Sequence, residues 1–221
     1  MLNDKEEQKY KELRLACKKL KVIPPVEIMI GLKVRDKNNE LIFDDIQRGH
    51  SWIRNFYNTM FCRMAGAGAT TNAVHGPGYL NVKYTGSDTI TTNIPSSIYI
   101  SAAATQYNSG IEVGRDNTAF NINSGRMLGR ISHGSGTNQL IFGACSTLSR
   151  TYEASTDVWT TVHKRVMNNN SGSTIEIKEV GYSTSTYLME RSVLDPIIEL
   201  VDAGKLTVTY SISMDFSAID S

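Results

Sequence analysis

The chain has 221 residues, 40% of them hydrophobic and 20% charged, and its 23 Lys and Arg against 22 Asp and Glu leave a formal net charge of +1. That length suits one all-β domain of ordinary size or two small ones. The charge balance leaves no net field to gather phosphate, which excludes a strongly basic nucleic-acid binder, and three scattered cysteines exclude a disulfide mini-protein. No apolar run is long enough to span a bilayer. The first residues, MLNDKEEQKYKEL, are charged where a signal peptide needs an apolar core, so export by that route is not expected.

Charge is unevenly spread. Residues 1–50 hold 11 Lys and Arg and nine Asp and Glu with no Ser or Thr, whereas residues 66–150 hold eight charged side chains among Gly, Ser, Thr, Asn and Ala. The two regions have different solvation chemistry and read as different structural units.

Residues 4–22 predict a helix. Leu13, Ala16, Cys17 and Leu20 recur at spacings of three and four, with Tyr10 one turn earlier. Asp4 can cap its start, Glu6 and Glu7 suit the positive end of its dipole, and Lys18, Lys19 and Lys21 the negative end. Pro24-Pro25 is expected to stop it. So narrow a stripe is marginal alone. The helix either lies on its own domain or acts as an arm that docks on a neighbouring subunit.

Residues 26–35 alternate, with Val26, Ile28, Ile30, Leu32 and Val34 on one face, as in a half-buried strand. Asp36-Lys37-Asn38-Asn39 is turn chemistry, and Leu41-Ile42-Phe43 begins the partner strand of a hairpin. Ser51 is expected to cap a helix reaching Met64. Its broad face carries Trp52, Ile53, Phe56, Tyr57, Met60, Phe61 and Met64, either a plug for the end of a β core or a partner-binding stripe. Ala65 to Thr71 is a flexible, glycine-rich break, which places a soft boundary near 65–75.

From about residue 75 onward the pattern is all β. Tyr79–Tyr84, Ser97–Ile100 and Gln139–Phe142 are short strands between turn clusters. Val158, Thr160, Val162, Lys164 and Val166 alternate with Trp159, Thr161, His163, Arg165 and Met167. Asn168-Asn169-Asn170-Ser171-Gly172 turns the chain and Thr174 to Tyr182 returns it as a hairpin. In the last strand Leu206, Val208, Tyr210, Ile212 and Met214 face one way, after a turn at Asp202-Ala203-Gly204-Lys205. Many short strands at regular spacing predict an antiparallel β-sandwich or a jelly-roll-like fold. The expected organisation is an N-terminal helical arm over 1–25 and a β-sandwich domain over 26–221.

Chemistry-bearing motifs are weak. His50, His75, His133 and His163 sit at no metal-ligand spacing from one another or from Cys17, Cys62 and Cys145. Three is an odd number of cysteines, so at least one thiol is free, which fits a reducing compartment. Gly66-Ala67-Gly68 lacks the third glycine and the strand-then-helix context of a dinucleotide site, and Gly134-Ser135-Gly136-Thr137 is not a nucleophile elbow. Asp44-Asp45 lacks the apolar surroundings that raise a pKa. Asn169-Asn170-Ser171 matches a glycosylation pattern but reads as a turn. No cofactor, metal or catalytic residue is expected.

The C-terminal half resembles a family of tailed-bacteriophage virion proteins. The resemblance covers residues 110–214 through Gly110-Ile111-Glu112-Val113-Gly114, Asn117-Thr118-Ala119, Ile131-Ser132-His133-Gly134-Ser135-Gly136, Leu140-Ile141-Phe142-Gly143-Ala144, Val166–Tyr182, Leu188–Ile197 and Gly204–Ile212. Leu32–Asp36 and Ser51–Phe56 look like the N-terminal part of the same architecture. Tyr182 stands where a Leu is common, and Ser192 where Asp is common. The resemblance implies a non-enzymatic structural component of a phage particle, either a head-decoration or a neck or tail protein. Its implied partners are other virion proteins (major capsid, neck or tail) and copies of itself, in virions assembled in the host cytoplasm; from the charge balance and the apolar runs no membrane and no nucleic-acid contact is expected. Low-charge β surfaces rich in Ser, Thr, Asn and Gly suit self-association. The expected interface residues are Tyr10, Leu13, Cys17, Leu20, Trp52 and Phe56. The alternative is a carbohydrate- or receptor-binding β module of a fibre or tail tip, with Trp159, Tyr107 and Tyr152 as contact residues. An enzyme would need a cleft with convergent, perturbed acids.

Overall fold

The computed structural model describes residues 4–64, 82–83, 90–91, 101–184 and 187–217, with residues 4, 5, 62–64, 82, 83, 90 and 91 described at the backbone alone. The molecule is mainly β, with two helices and two principal sheets that face each other as a sandwich. The soft break near 65–75 and the strand expected at Ser97–Ile100 lie outside the described residues, as do Cys62 Sγ and His75.

Helix α1 spans Asp4–Leu20. It ends before the prolines expected to stop it. Lys21 adopts φ 53°, Val22 N–H donates to Cys17 C=O at 3.0 Å and Lys21 N–H to Lys18 C=O at 3.2 Å. This is a Schellman cap, which satisfies the last carbonyls before the chain turns into the Pro24-Pro25 linker.

The hairpin follows as expected. Strand β1 (Glu27–Arg35) pairs antiparallel with β2 (Leu41–Arg48). Its turn is built by Asp36, whose carboxylate accepts from Asn38 N–H at 2.9 Å and Glu40 N–H at 2.8 Å, with Asn39 at φ 65°. Ile28, Ile30, Leu32 and Val34 are all buried.

Helix α2 is Arg54–Met64, two residues shorter than a Ser51 cap predicts. Residues 52 and 53 are extended because their backbone pairs elsewhere. Trp52 forms an antiparallel bridge to Glu190, and Ile53 N–H donates to Met189 C=O at 2.9 Å. The Ser51 hydroxyl donates to Trp52 C=O instead of capping α2. Two short paired strands, β3 (Val82–Lys83) and β4 (Ile90–Thr91), come next.

The remaining strands are β5 (Gly110–Gly114), β6 (Ser132–His133), β7 (Gln139–Phe142), β8 (Ser146–Glu153), β9 (Val158–Asn168), β10 (Ile175–Thr184), β11 (Tyr187–Leu200) and β12 (Lys205–Asp215). The larger sheet runs β2-β1-β12-β9-β7-β6, with β8 also paired to β9, and the smaller runs β11-β10-β5. All these pairs are antiparallel except the two-residue β6–β7 pair.

One expectation is overturned. The segment 166–182 is not a hairpin. Strand β9 pairs with β12, β8 and β7, whereas β10 pairs with β11 and β5. The turn after Asn168 therefore carries the chain from one sheet to the other, and the turn at 201–204 carries it back. Both crossovers are tied at buried Asn169. Its amide Nδ2 donates to Ser173 C=O and Leu200 C=O, its Oδ1 accepts from Ser171, and its backbone exchanges hydrogen bonds with Ala203 and Gly204. Turn-forming Asn and Gly specify a reversal, and they serve an arch between sheets as well as a hairpin.

The main core lies between the sheets, where Ile30, Leu32, Val113, Leu140, Phe142, Met167, Ile177, Val180, Leu206 and Val208 are buried. A second, smaller cluster of Ile53, Met127 and Leu188, with Phe120 against it, covers the outer side of the smaller sheet. The later part of β10 and the first part of β11 are thus buried on both faces. That is why their sequences lose the alternation that a half-buried strand shows.

Candidate functional site

Four charged side chains dock α1. Glu27, at the start of β1, and Arg48, at the end of β2, point out from the sandwich. Arg14 donates to Glu27 through Nε at 2.7 Å and Nη2 at 2.8 Å. Arg48 donates to Glu7 at 2.8 Å and to Glu27 at 2.7 Å. The Tyr10 ring lies over the Arg48 guanidinium, 3.8 Å from it. Burial alone would raise the Glu27 carboxyl, but hydrogen bonds from Arg14 and Arg48 outweigh it and hold the group below its ordinary range. At Arg48 burial would lower the pKa, but its hydrogen bonds to Glu27 and Glu7 outweigh it and raise it.

Of the expected arm residues, Tyr10 takes part in this clamp and Cys17 is buried. Leu13 and Leu20 are 39% and 72% exposed, and Leu15, Val22 and Ile23 are also exposed. The arm is seated mainly by charge and leaves most of its apolar side chains in water.

Trp52 and Phe56 are placed differently from an exposed stripe. Both are buried in their own chain, stacked 3.9 Å apart at 17°, with Trp52 edge-on to Tyr182. The Trp52 bridge to β11 aims them at the gap between the sheets, where they help fill the core. On α2 only Tyr57 and Phe61 among the large aromatics face outward.

Beyond that plug the inner face of the larger sheet runs on, open among the described residues. Two adjoining grooves lie there. One, of about 240 Å³, is lined by Trp52, Phe56, Met60, His163 and Tyr182 with Val26, Thr161, Ile212 and Met214. The other, of about 370 Å³, shares Val26, Thr161, Ile212 and Met214 and adds Trp159, Ser213 and Phe216. At its rim Tyr152 and Trp159 stack across β8 and β9 with ring centres 5.1 Å apart. Both are about half exposed. Tyr152 O–H also donates to Asp157 at 2.8 Å. Tyr107, the third expected contact residue, belongs to the separate 101–109 loop.

Sequence reasoning misses the buried charges. Glu112, Glu179 and Arg191 share the outer face of the smaller sheet, beneath the 115–131 loop. Arg191 bridges Glu179 and Asp116, and Arg130 stands 2.6 Å from Glu112. Burial raises both the Glu112 and the Glu179 carboxyl, and the arginines only partly offset it. A side chain at Gly114 would drive its Cβ into Glu179 Oε1, so only glycine admits the carboxylate there. Glu190 lies between the sheets. It accepts from Tyr210 O–H at 2.7 Å and from Ser192 O–H, and burial pushes it up to about 7. The local sequence does not mark them: Glu112 alternates with Ile111 and Val113 as an exposed strand residue would, Glu179 follows Lys178, and Glu190 precedes Arg191-Ser192. None of the three lines the two grooves described above.

His163 and His133 are occupied locally. His163 is buried beside Thr147, burial lowering its pKa. His133 Nδ1 accepts from Phe142 N–H at 3.1 Å, so that nitrogen is not turned to Cys145 as a base. Among the described residues no three His, Cys, Asp or Glu side chains are grouped so as to hold a metal ion, and no described helix is long and apolar enough to cross a membrane. No protein-family model matches the chain. Comparison with curated proteins and with solved structures likewise gives no match.

Proposed function

We propose that this chain is a non-enzymatic structural component of a tailed-bacteriophage particle, a minor capsid or decoration protein or a neck or tail protein, which assembles through β surfaces and its N-terminal arm. The observation that supports this reading best is the arm itself. A helix seated by an ionic clamp, with Leu13, Leu15, Leu20, Val22 and Ile23 exposed, is built for a second surface. The order of motifs over residues 110–214 points to the particle as the setting. Its partners are then the major capsid, neck or tail proteins and copies of itself.

Quantitative mass spectrometry of purified phage particles, scaled to the major shell protein, tests the proposal. A copy number that tracks the shell lattice assigns a decoration role. A small ring-like number assigns the neck, the tail or a fibre base. Absence from particles overturns the reading.

The Tyr152–Trp159 stack favours one alternative, a carbohydrate- or receptor-binding module of a fibre or tail tip. A half-exposed aromatic pair beside an open groove gives a flat apolar platform of the kind that sugar rings cover. Glycan-array binding that disappears in Trp159→Ala supports it. An array with no binder removes it.

A further inference from the structure

Every copy of this chain carries both halves of the clamp. The arm presents Glu7, Tyr10 and Arg14, and the sheet presents Arg48 and Glu27. The two halves alternate in sign, so a foreign partner would have to reproduce that pattern, whereas a second copy reproduces it by identity. We propose that α1 is an exchangeable arm, and that the Arg48–Glu27 dock of one copy receives the α1 of a second copy. This inference rests on the assembly reading above and names the arm's partner.

Three observations carry it. The first is charge complementarity between arm and dock, which is indifferent to whether the arm comes from the same chain. The second is the linker. After the cap at Lys21 the chain passes through Pro24-Pro25 before β1, and prolines favour an extended segment that can reach away from its own domain. The third is the apolar surface left over. Tethering favours docking within one chain, because the arm is always nearby. Reciprocal exchange keeps every clamp contact, so any new burial of Leu13, Leu15, Leu20, Val22 or Ile23 between two copies favours the exchanged form. Exchange in both directions closes a dimer.

Light scattering of the purified full chain, before and after two substitutions, tests this. The wild type is expected at twice the 24.5 kDa chain mass, falling twofold in concentrated salt, which screens the clamp. Glu7→Lys changes only a helix surface residue and sets an ammonium against Arg48. Arg48→Glu sets a second carboxylate against Glu7. Each variant alone is expected at the single-chain mass with an unchanged circular dichroism spectrum. Mixed together they are expected to recover the doubled mass. In the exchanged heterodimer one clamp is the native Glu7–Arg48 pair. The other joins the two substituted side chains, again cation to carboxylate, a match that neither variant can make within its own chain. A wild type of single-chain mass at every concentration overturns the proposal. So does a doubled mass that survives Glu7→Lys, or a mixture of folded variants that stays monomeric. None of these outcomes touches the particle reading, which fails only if the chain is absent from particles.

Discussion

Glu190 is a carboxyl group whose hydrogen bonds come from two hydroxyls, those of Tyr210 and Ser192. Its folded pKa of about 7 stands above the ordinary 4.5. The folded state therefore keeps a proton that the unfolded chain releases between those values. The contribution is fully present at low pH and is lost as pH rises from about 4.5 through about 7, a change on the order of 3 kcal/mol. Glu190→Gln removes this slope. Between pH 5 and pH 8 the melting temperature of the variant should gain on the wild type by roughly 6–12 °C, read by thermal unfolding at the two pH values. Arg165 is the opposite case, a fully buried cation that donates to the carbonyls of Gly143, Ser109, Ile111 and Gln106 and so ties the 101–111 segment to β9. Arg165→Met strands those carbonyls and should cost on the order of 3–5 kcal/mol in urea unfolding. Arg165→Lys should fall between, since one ammonium cannot span the fork. The alternation of β9 was legible in the sequence, but its sense was not. Val158, Val162 and Val166 suggest a core face, yet His163, Arg165 and Met167 are the buried ones. Thr147 of β8, Ile111 of β5, the 101–109 loop and Gly143 supply partners for the polar side chains there, and no local pattern records that.

At the scale of elements, both helices and strands β1, β2, β7, β9, β10 and β12 could be read from periodicity and turn residues, to within a few positions, whereas β8 and β11 were not singled out. Errors came where backbone donors found distant partners. Trp52 and Ile53 pair with β11, which shortens α2, and Lys21 takes a left-handed turn, which ends α1 early. The largest error was the supposed hairpin at 166–182, because sheet membership is decided by residues far away in sequence. The arm was legible as a helix with a narrow stripe. Its clamp was not, because Glu7 and Arg48 are 41 positions apart. Asn169 carries the corrected topology. Its amide donates to two carbonyls at the paired crossovers, so Asn169→Asp sets a carboxylate against Ser173 C=O and Leu200 C=O. A loss of roughly 3 kcal/mol or more is expected, read as a lower denaturant midpoint. Asn170→Asp, one residue along at an exposed position, should change it by less than about 0.5 kcal/mol.

For the whole molecule, the arm and the sandwich are separable in stability. The clamp draws on the sheet's outer surface, and the core between the sheets contains no α1 side chain among the described residues. Deleting residues 1–22 should therefore leave the β domain folded, with its stability lowered by at most about 1–2 kcal/mol in denaturant unfolding, while incorporation into particles is lost. Normal incorporation of the truncated chain would exclude an anchoring role for the arm. Strand order carries a different consequence. Strand β12 is the middle of the larger sheet, hydrogen-bonded to β1 on one side and to β9 on the other, although it comes latest in sequence among the described strands. During synthesis β1 and β9 leave the ribosome with their central partner still missing. Ile28, Ile30, Leu32 and Met167 then stay exposed until residues 205–215 arrive. Closure of the sandwich is thus a late, long-range event, slow in the manner of high-contact-order folds. The half-made chain presents two bare apolar strand edges to its neighbours on the same messenger, so yield in a crowded cell should depend on how well chaperones shield that interval.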